Sequence, residues 1–301
     1  MHDIIIIGGG PAGLTAALYA GRAGKSALII EKNAFGGQMT YSPKIENYPG
    51  VPAGAGMEIA DAMVEQVLGQ GIDTEFDTIT DLKKKEDGSF EAIGEFGSYC
   101  GRSVIVAVGC KHRMLGLDRE QDFVGNGISF CAVCDGAFYK DKTVALIGGG
   151  NSALQEAILL SETSKKVIVV QNLPYFTGEA KLVEQVNKRA NIEVIFGATV
   201  EALSGADELD GLDIKITKSG EIRHLDVDGM FVAIGLKPEN EPFAGLAALN
   251  EWGYFDTDES CVTATPGVFV AGDCRSKRIR QVTTATADGA VAALAACRYL
   301  E

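Results

Sequence analysis

The chain has 301 residues, 46% of them hydrophobic, which is enough to bury the cores of about two domains. Its formal net charge of −14 argues against nucleic acid as a partner, because neutralising phosphates takes clustered Lys and Arg. No apolar run approaches the ~18 residues of a membrane span and no basic leader precedes Ile4, so a cytoplasmic protein is expected.

In chain order, Ile4, Ile5, Ile6 and Ile7 read as a buried strand, and Gly8, Gly9, Gly10, Pro11, Ala12 and Gly13 lead from it into a helical stretch. Gly8, Gly10 and Gly13 fit G-x-G-x-x-G, whose glycines allow a tight turn, backbone approach to a pyrophosphate, and close helix packing. The pattern gains weight because the next apolar run, residues 27–30, ends in Glu31, where a carboxylate can accept ribose hydroxyls. Cys131 and Cys134 follow as a Cys-x-x-Cys pair with Asp135 directly behind. Such a pair either cycles between dithiol and disulfide or forms half of a zinc site. No second pair exists and the three histidines are scattered, so the redox reading is preferred and no metal is expected. The other five cysteines stand singly and read as small buried hydrophobes.

The first design then recurs. Residues 143–147 form a strand, Gly148, Gly149, Gly150, Asn151, Ser152 and Ala153 form a second glycine loop, and a helix runs on through about residue 161. Alanine is permitted at the third position. The next strand ends in Gln171, at the place where a nucleotide's 2′ position is read, and residues 171–179 contain no Arg or Lys. Amides there can hydrogen-bond a diol but cannot neutralise a 2′-phosphate. Further on, residues 268–273 are a strand ending in Gly272 and Asp273, and residues 283–300 an Ala-rich helix. Arg275, Lys277, Arg278 and Arg280 form a basic cluster suited to an anionic cofactor or an acidic protein, with a solvated loop as the alternative for the first three. The fold class is therefore α/β, with two Rossmann-like dinucleotide-binding domains of three-layer ββα type, the second inserted in the first. The expected boundaries are residues 1–113 and 241–301 for one domain and 114–240 for the other.

With Gly36, Gly37 and Gln38, the stretch Glu46, Asn47, Tyr48, Pro49 and Gly50, and Arg280 with Gln281 added to these motifs, the chain resembles the low-molecular-weight thioredoxin reductases over essentially its whole length. The resemblance implies FAD on the first domain, held by Gly8, Gly10, Pro11, Ala12 and Gly13 at the pyrophosphate and Glu31 at the adenosine ribose. Lys32, Gly36, Gly37, Gln38, Asn47, Gly109, Gly272, Asp273, Arg280, Gln281 and Val282 would surround the rest. It makes Cys134 the thiol facing the flavin, Cys131 the one that attacks a protein disulfide, and Asp135 the acid. The partner would be thioredoxin or a thioredoxin-like protein, and a homodimer is expected. The nicotinamide nucleotide would lie on Gly148, Gly150, Asn151, Ser152, Ala153 and Gln171. The family's NADPH clamp is a His-Arg-Arg stretch, and this chain has Gln171, Asn172 and Leu173 there. The expected donor is therefore NADH, or reduced ferredoxin or a deazaflavin, ahead of NADPH. A dithiol oxidase using oxygen and a non-enzymatic redox sensor are the alternative readings.

Overall fold

Four consecutive isoleucines set the layering. Side chains alternate across a strand, so Ile4 and Ile6 enter one core and Ile5 and Ile7 enter another on the opposite face. A strand buried on both faces needs cover from both sides. The computed structural model describes residues 1–41, 45 and 48–301, the side chains of Tyr41, Val133 and Cys134 lying outside that description. The chain divides into two units, Met1–Lys111 with Lys237–Glu301, and His112–Leu236.

The chain runs through β1 (His2–Ile7), α1 (Pro11–Arg22), β2 (Ala27–Glu31), α2 (Gly56–Leu68), β3 (Asp73–Phe76), β4 (Ile79–Lys84), β5 (Phe90–Gly94), β6 (Ser98–Val106) and β7 (Cys110–His112). The middle unit follows with α3 (Glu120–Phe123), β8 (Ile128–Ser129), α4 (Ala132–Asp135), β9 (Thr143–Ile147), α5 (Asn151–Leu160), β10 (Lys166–Gln171), α6 (Ala180–Asn187), β11 (Ile192–Phe196), β12 (Ala198–Ser204), β13 (Gly211–Ile216), β14 (Ile222–Asp226) and β15 (Gly229–Val232). The chain then returns through β16 (Leu236–Pro238), β17 (Val268–Val270) and α7 (Val282–Tyr299).

In the first unit β3, β2, β1 and β6 lie side by side in parallel, and β17 extends the sheet by pairing with the second half of β6. The first half of β6 instead carries β5 and then β4, antiparallel, as a separate layer. Helices α1 and α7 cover the other face, where Ala16, Ala17 and Ala20 share a core with Ala292, Ala293 and Ala296. Small residues let the two helices close up: a Cβ on Gly289 would fall 2.2 Å from the carbonyl oxygen of Ala12. The middle unit repeats the plan, with a parallel sheet β11-β10-β9-β15-β8, an antiparallel sheet β12-β13-β14 whose side chains share a core with one face, and α5 packed with α6. The α/β class with two dinucleotide-binding folds is thus what the sequence pattern led one to expect. Among the described residues no helix is long and apolar enough to cross a membrane.

Cys110, Cys261, Cys274 and Cys297 are free and buried, and Cys100 is half-buried. Burial pushes the Cys110 thiol up to about 11, and those of Cys261 and Cys274 to about 12.

The basic cluster corrects one expectation. Arg275 and Lys277 are not on a solvated loop: Arg275 is 1% exposed, and both side chains converge on Asp288 of α7. Arg275 makes a fork, Nε to Oδ2 at 2.9 Å and Nη2 to Oδ1 at 3.0 Å, and the Lys277 ammonium adds a bond of 2.8 Å. Burial disfavours the charged Asp288 carboxylate, but the bonds from Arg275 and Lys277 outweigh it and hold the group below the usual carboxylate range. Asp288 also accepts the Gly272 amide at 3.0 Å and so fixes the turn that presents Asp273.

Replacing Asp288 with Asn leaves two buried cations short of their anion, and it should destabilise the protein by about 3–5 kcal/mol in urea unfolding. A depressed carboxylate contributes stability that is present above its unfolded value of about 4 and is lost as pH falls through the folded value. The Asp288→Asn protein should therefore lose part of the acid-side fall in stability that the parent shows.

Candidate redox and dinucleotide sites

The strand-to-helix turn after β1 is built by glycine. Gly8 has φ +105°, and a Cβ on it would lie 2.4 Å from the Ala107 carbonyl oxygen. A Cβ on Gly13 would lie 1.8 Å from the Gly8 carbonyl oxygen, so α1 can only pass this close to β1 without a side chain there. Pro11 begins α1, where its missing N–H costs nothing, and Ala12 is buried. Gly10 is open, with only Gly37 Cα near its Cβ position, at 3.9 Å. Gly36 and Gly37 both take positive φ, and the Gly36 amide bonds to the Gly9 carbonyl. Glu31 at the end of β2 accepts the Gly9 amide at 2.6 Å and the Asn33 amide at 2.9 Å. Two carboxylate oxygens offer about four acceptor positions, so capacity for a ribose diol remains. Lys32 is tied to Glu239, which Lys111 also meets.

On the same unit, Gln38 donates to the Cys110 carbonyl at 2.7 Å, and Gly109 takes φ +66° with open space around it. Gly272, at φ +80°, presents Asp273, whose Oδ1 is buried with no partner among the described residues. Burial raises the Asp273 carboxyl above its ordinary value, although Lys277 and Arg280 oppose the shift. An orphaned carboxyl oxygen beside a glycine cradle fits a ligand that carries hydroxyls and a pyrophosphate. Arg280 lies over the Tyr254 ring at 4.4 Å, and Gln281 caps α7 in a reciprocal pair with Thr284, with Val282 as the first helical residue. Asn47 lies outside the described residues.

The second loop has the same backbone logic with a different polarity. Gly148 takes φ +132°, Ala153 is fully buried, and Gly150 is open but for Thr177 Oγ1 at 3.7 Å. Gln171 is 4% exposed and fills the space beneath Gly149, the place that Phe35 and Glu31 occupy beneath Gly9. Its Nε2 donates to the Tyr175 carbonyl at 3.2 Å. The following segment is laid on the loop: the Thr177 and Gly178 amides donate to the Gly149 carbonyl, and Asn151 and Glu179 exchange hydrogen bonds of 3.0 and 2.7 Å. Ser152 stays exposed. No basic side chain is brought to this loop by residues 171–179, in keeping with the sequence.

Cys131 stands just ahead of α4 and is held in a disulfide. The Cys134 side chain lies outside the described residues. Ser129, buried at the end of β8, accepts the Cys131 amide at 3.1 Å and donates to Asp135 Oδ2 at 2.6 Å. The Asp135 amide in turn bonds to the Cys131 carbonyl at 3.1 Å. Cys131 and Asp135 are thus locked together through a hydroxyl that the sequence reading did not single out. The available signal was a Ser two places ahead of the Cys pair.

The chain matches the model of the pyridine nucleotide-disulphide oxidoreductases over residues 2–289. It is 38% identical to a thioredoxin reductase of Treponema pallidum, over 100% of this chain and 97% of that one. Among solved structures it is similar to the Lactococcus lactis thioredoxin reductase, with TM-score 0.87 and 34% identity over 100% and 99% of the two chains. It is also similar to a ferredoxin-flavin thioredoxin reductase of Clostridium acetobutylicum, with TM-score 0.53 and 28% identity over 99% and 97%. A disulfide at Cys131, two glycine loops on two parallel sheets and these matches have one reading: the chain is an oxidoreductase that belongs to the pyridine nucleotide-disulphide oxidoreductase family, with thioredoxin reductases among its full-length relatives.

Proposed function

We propose that the protein reduces the disulfide of thioredoxin or a thioredoxin-like protein through Cys131 and Cys134, with FAD on the first unit and an electron donor other than NADPH. The observation that carries the proposal is the Cys131 disulfide tied through Ser129 to Asp135. FAD, when bound, supplies the two-electron chemistry that reduces the pair. Gly8, Gly10, Pro11, Ala12 and Gly13 would hold its pyrophosphate, Glu31 its ribose, and Asp273 a hydroxyl. Lys32, Gly36, Gly37, Gln38, Asn47, Gly109, Gly272, Arg280, Gln281 and Val282 complete that proposed set.

The chain's own residues then perform thiol–disulfide exchange. Cys131 as thiolate attacks one sulfur of the partner's disulfide, forming a mixed disulfide and displacing a partner thiolate. Asp135, held by Ser129, gives that sulfur a proton. Cys134 attacks Cys131, the mixed disulfide breaks, and the partner leaves with two thiols while the protein disulfide re-forms. The cytoplasm, where partner disulfides are made transiently, is the compartment we assign.

Two features support a donor other than NADPH. Gln171 is buried against Gly149 with its amide nitrogen committed to Tyr175, and residues 171–179 offer no cation for a 2′-phosphate. Similarity to a ferredoxin-flavin thioredoxin reductase supports a low-potential protein donor. The intact turn of Gly148, Gly150, Asn151, Ser152 and Ala153 equally suits NADH.

Anaerobic addition of NADPH, NADH and reduced ferredoxin to separate samples should bleach the flavin with NADH or ferredoxin, and at least ~10-fold more slowly with NADPH, about 1.4 kcal/mol of transition-state stabilisation. Rapid bleaching by NADPH overturns the donor assignment. Cys131→Ser should keep its flavin and lose thioredoxin reduction; normal turnover by that variant defeats the exchange mechanism. Ser129→Ala removes the hydroxyl between the Cys131 amide and Asp135, and stopped-flow thioredoxin reduction should slow by roughly 10-fold, consistent with loss of one charge-assisted hydrogen bond of about 1.5–3 kcal/mol.

A further inference from the structure

Helix α5 starts at the second glycine loop and packs against α4, the short helix behind Cys131. The seam between them is apolar. Ala132 shares a buried core with Ala157 and Leu160, and a Cβ on Gly136 would lie 3.3 Å from the Leu160 methyl. One acidic side chain enters this seam, Glu156. Its carboxylate accepts the backbone amide of Ala132, the residue directly after Cys131. Among the described residues its Oε2 is buried and has no hydrogen-bond partner.

An ionised carboxylate in such a place is expensive unless something neutralises it. The ionisable groups on the elements packed around α5 do not. Asp135 on α4 is bonded to Ser129, Lys181 and Glu184 on α6 are both exposed, Lys166 on β10 pairs with Glu193, and β9 carries none. Among the described residues only burial, which raises the group, and the Ala132 amide, which lowers it, act on Glu156. Burial wins and pushes the carboxyl up to about 7. It is therefore divided between its two protonation states at neutral pH while the Cys131 disulfide is closed.

Opening the disulfide to one thiol and one thiolate puts a negative charge beside the amide that Glu156 already holds. Like charges at that range favour the neutral carboxyl. We infer that Glu156 takes up a proton when the Cys131 disulfide opens, so that neutralising the carboxylate offsets part of the new thiolate's charge. This rests on the reading of Cys131 and Cys134 as the redox pair. With dithiothreitol as reductant, the protein S–S bond breaks and one forms in the reagent. Of the reagent's two thiol protons, one remains on a protein thiol and the other, displaced as the thiolate forms, goes to Glu156 instead of solvent. Glu156 acts through the helix and is a positioning and proton-holding residue; it does not touch the partner's disulfide.

The test uses the holoenzyme in weakly buffered solution between pH 7 and 8, with dithiothreitol, a pH indicator and a count of the thiols exposed. For a shift of one pH unit in Glu156, the wild type should release about half a proton less per disulfide opened than Glu156→Gln. Equal release from the two proteins overturns the inference. If no disulfide opens in the wild type, the redox-pair reading falls and this inference with it, and the thiol count separates that failure from the first. Should Glu156→Gln not fold, the wild type alone decides: its equilibrium constant with dithiothreitol must change slope near pH 7, and a plot with no break there overturns the assignment.

Discussion

A methyl group on Gly13 would sit 1.8 Å from the carbonyl oxygen of Gly8, and what lies beyond that turn depends on the space being empty. Only because the helix can approach the strand so closely do the first amides of α1 face outward from the sheet edge, where a pyrophosphate can be received. The same closeness passes along the unit. Ala12 leaves room for Gly272, where a Cβ would be 2.8 Å away, and Gly289 of α7 nests on the Ala12 carbonyl. Three glycines far apart in sequence therefore converge on one corner, and Asp288, one residue before Gly289, anchors the Gly272 turn from the same helix.

Much of this architecture was legible in the chain. Continuous apolar runs at residues 4–7, 143–147 and 268–270 are strands buried on both faces, and that requirement leads directly to parallel sheets covered on two sides. The glycine loops and the Cys pair declare themselves because their chemistry is local: every residue that matters lies within a few positions. What escaped was pairing across distance. Arg275 and Lys277 look like a solvated loop until α7 brings Asp288 to them, and nothing near residue 275 announces that partner. Ser129 and Glu156 are unremarkable in a linear reading, and they become significant only when β8 and α5 are brought against α4.

The two glycine loops compare like a matched pair with one reversed sign. Glu31 and Gln171 occupy corresponding places beneath Gly9 and Gly149. Glu31 accepts hydrogen bonds from its loop; Gln171 donates one to Tyr175. A carboxylate there gives the first loop a fixed negative partner for a diol, whereas the second loop has a neutral amide already engaged with its own backbone. The two loops thus share one backbone geometry and differ in the chemistry at the strand end, a carboxylate in the first and an engaged amide in the second.

The free cysteines carry a consequence for how electrons are confined. Cys110, Cys261 and Cys274 are buried, with thiols raised to about 11 or 12, so at neutral pH fewer than about one in a thousand is ionised. Exchange and oxidation both proceed through the thiolate, so burial disfavours both at these sulfurs. Burial thus sets these three thiols apart from the half-buried Cys100. The same apolar layers that hold the sheets together keep these thiols protonated, in contrast to Cys131, which is held in a disulfide.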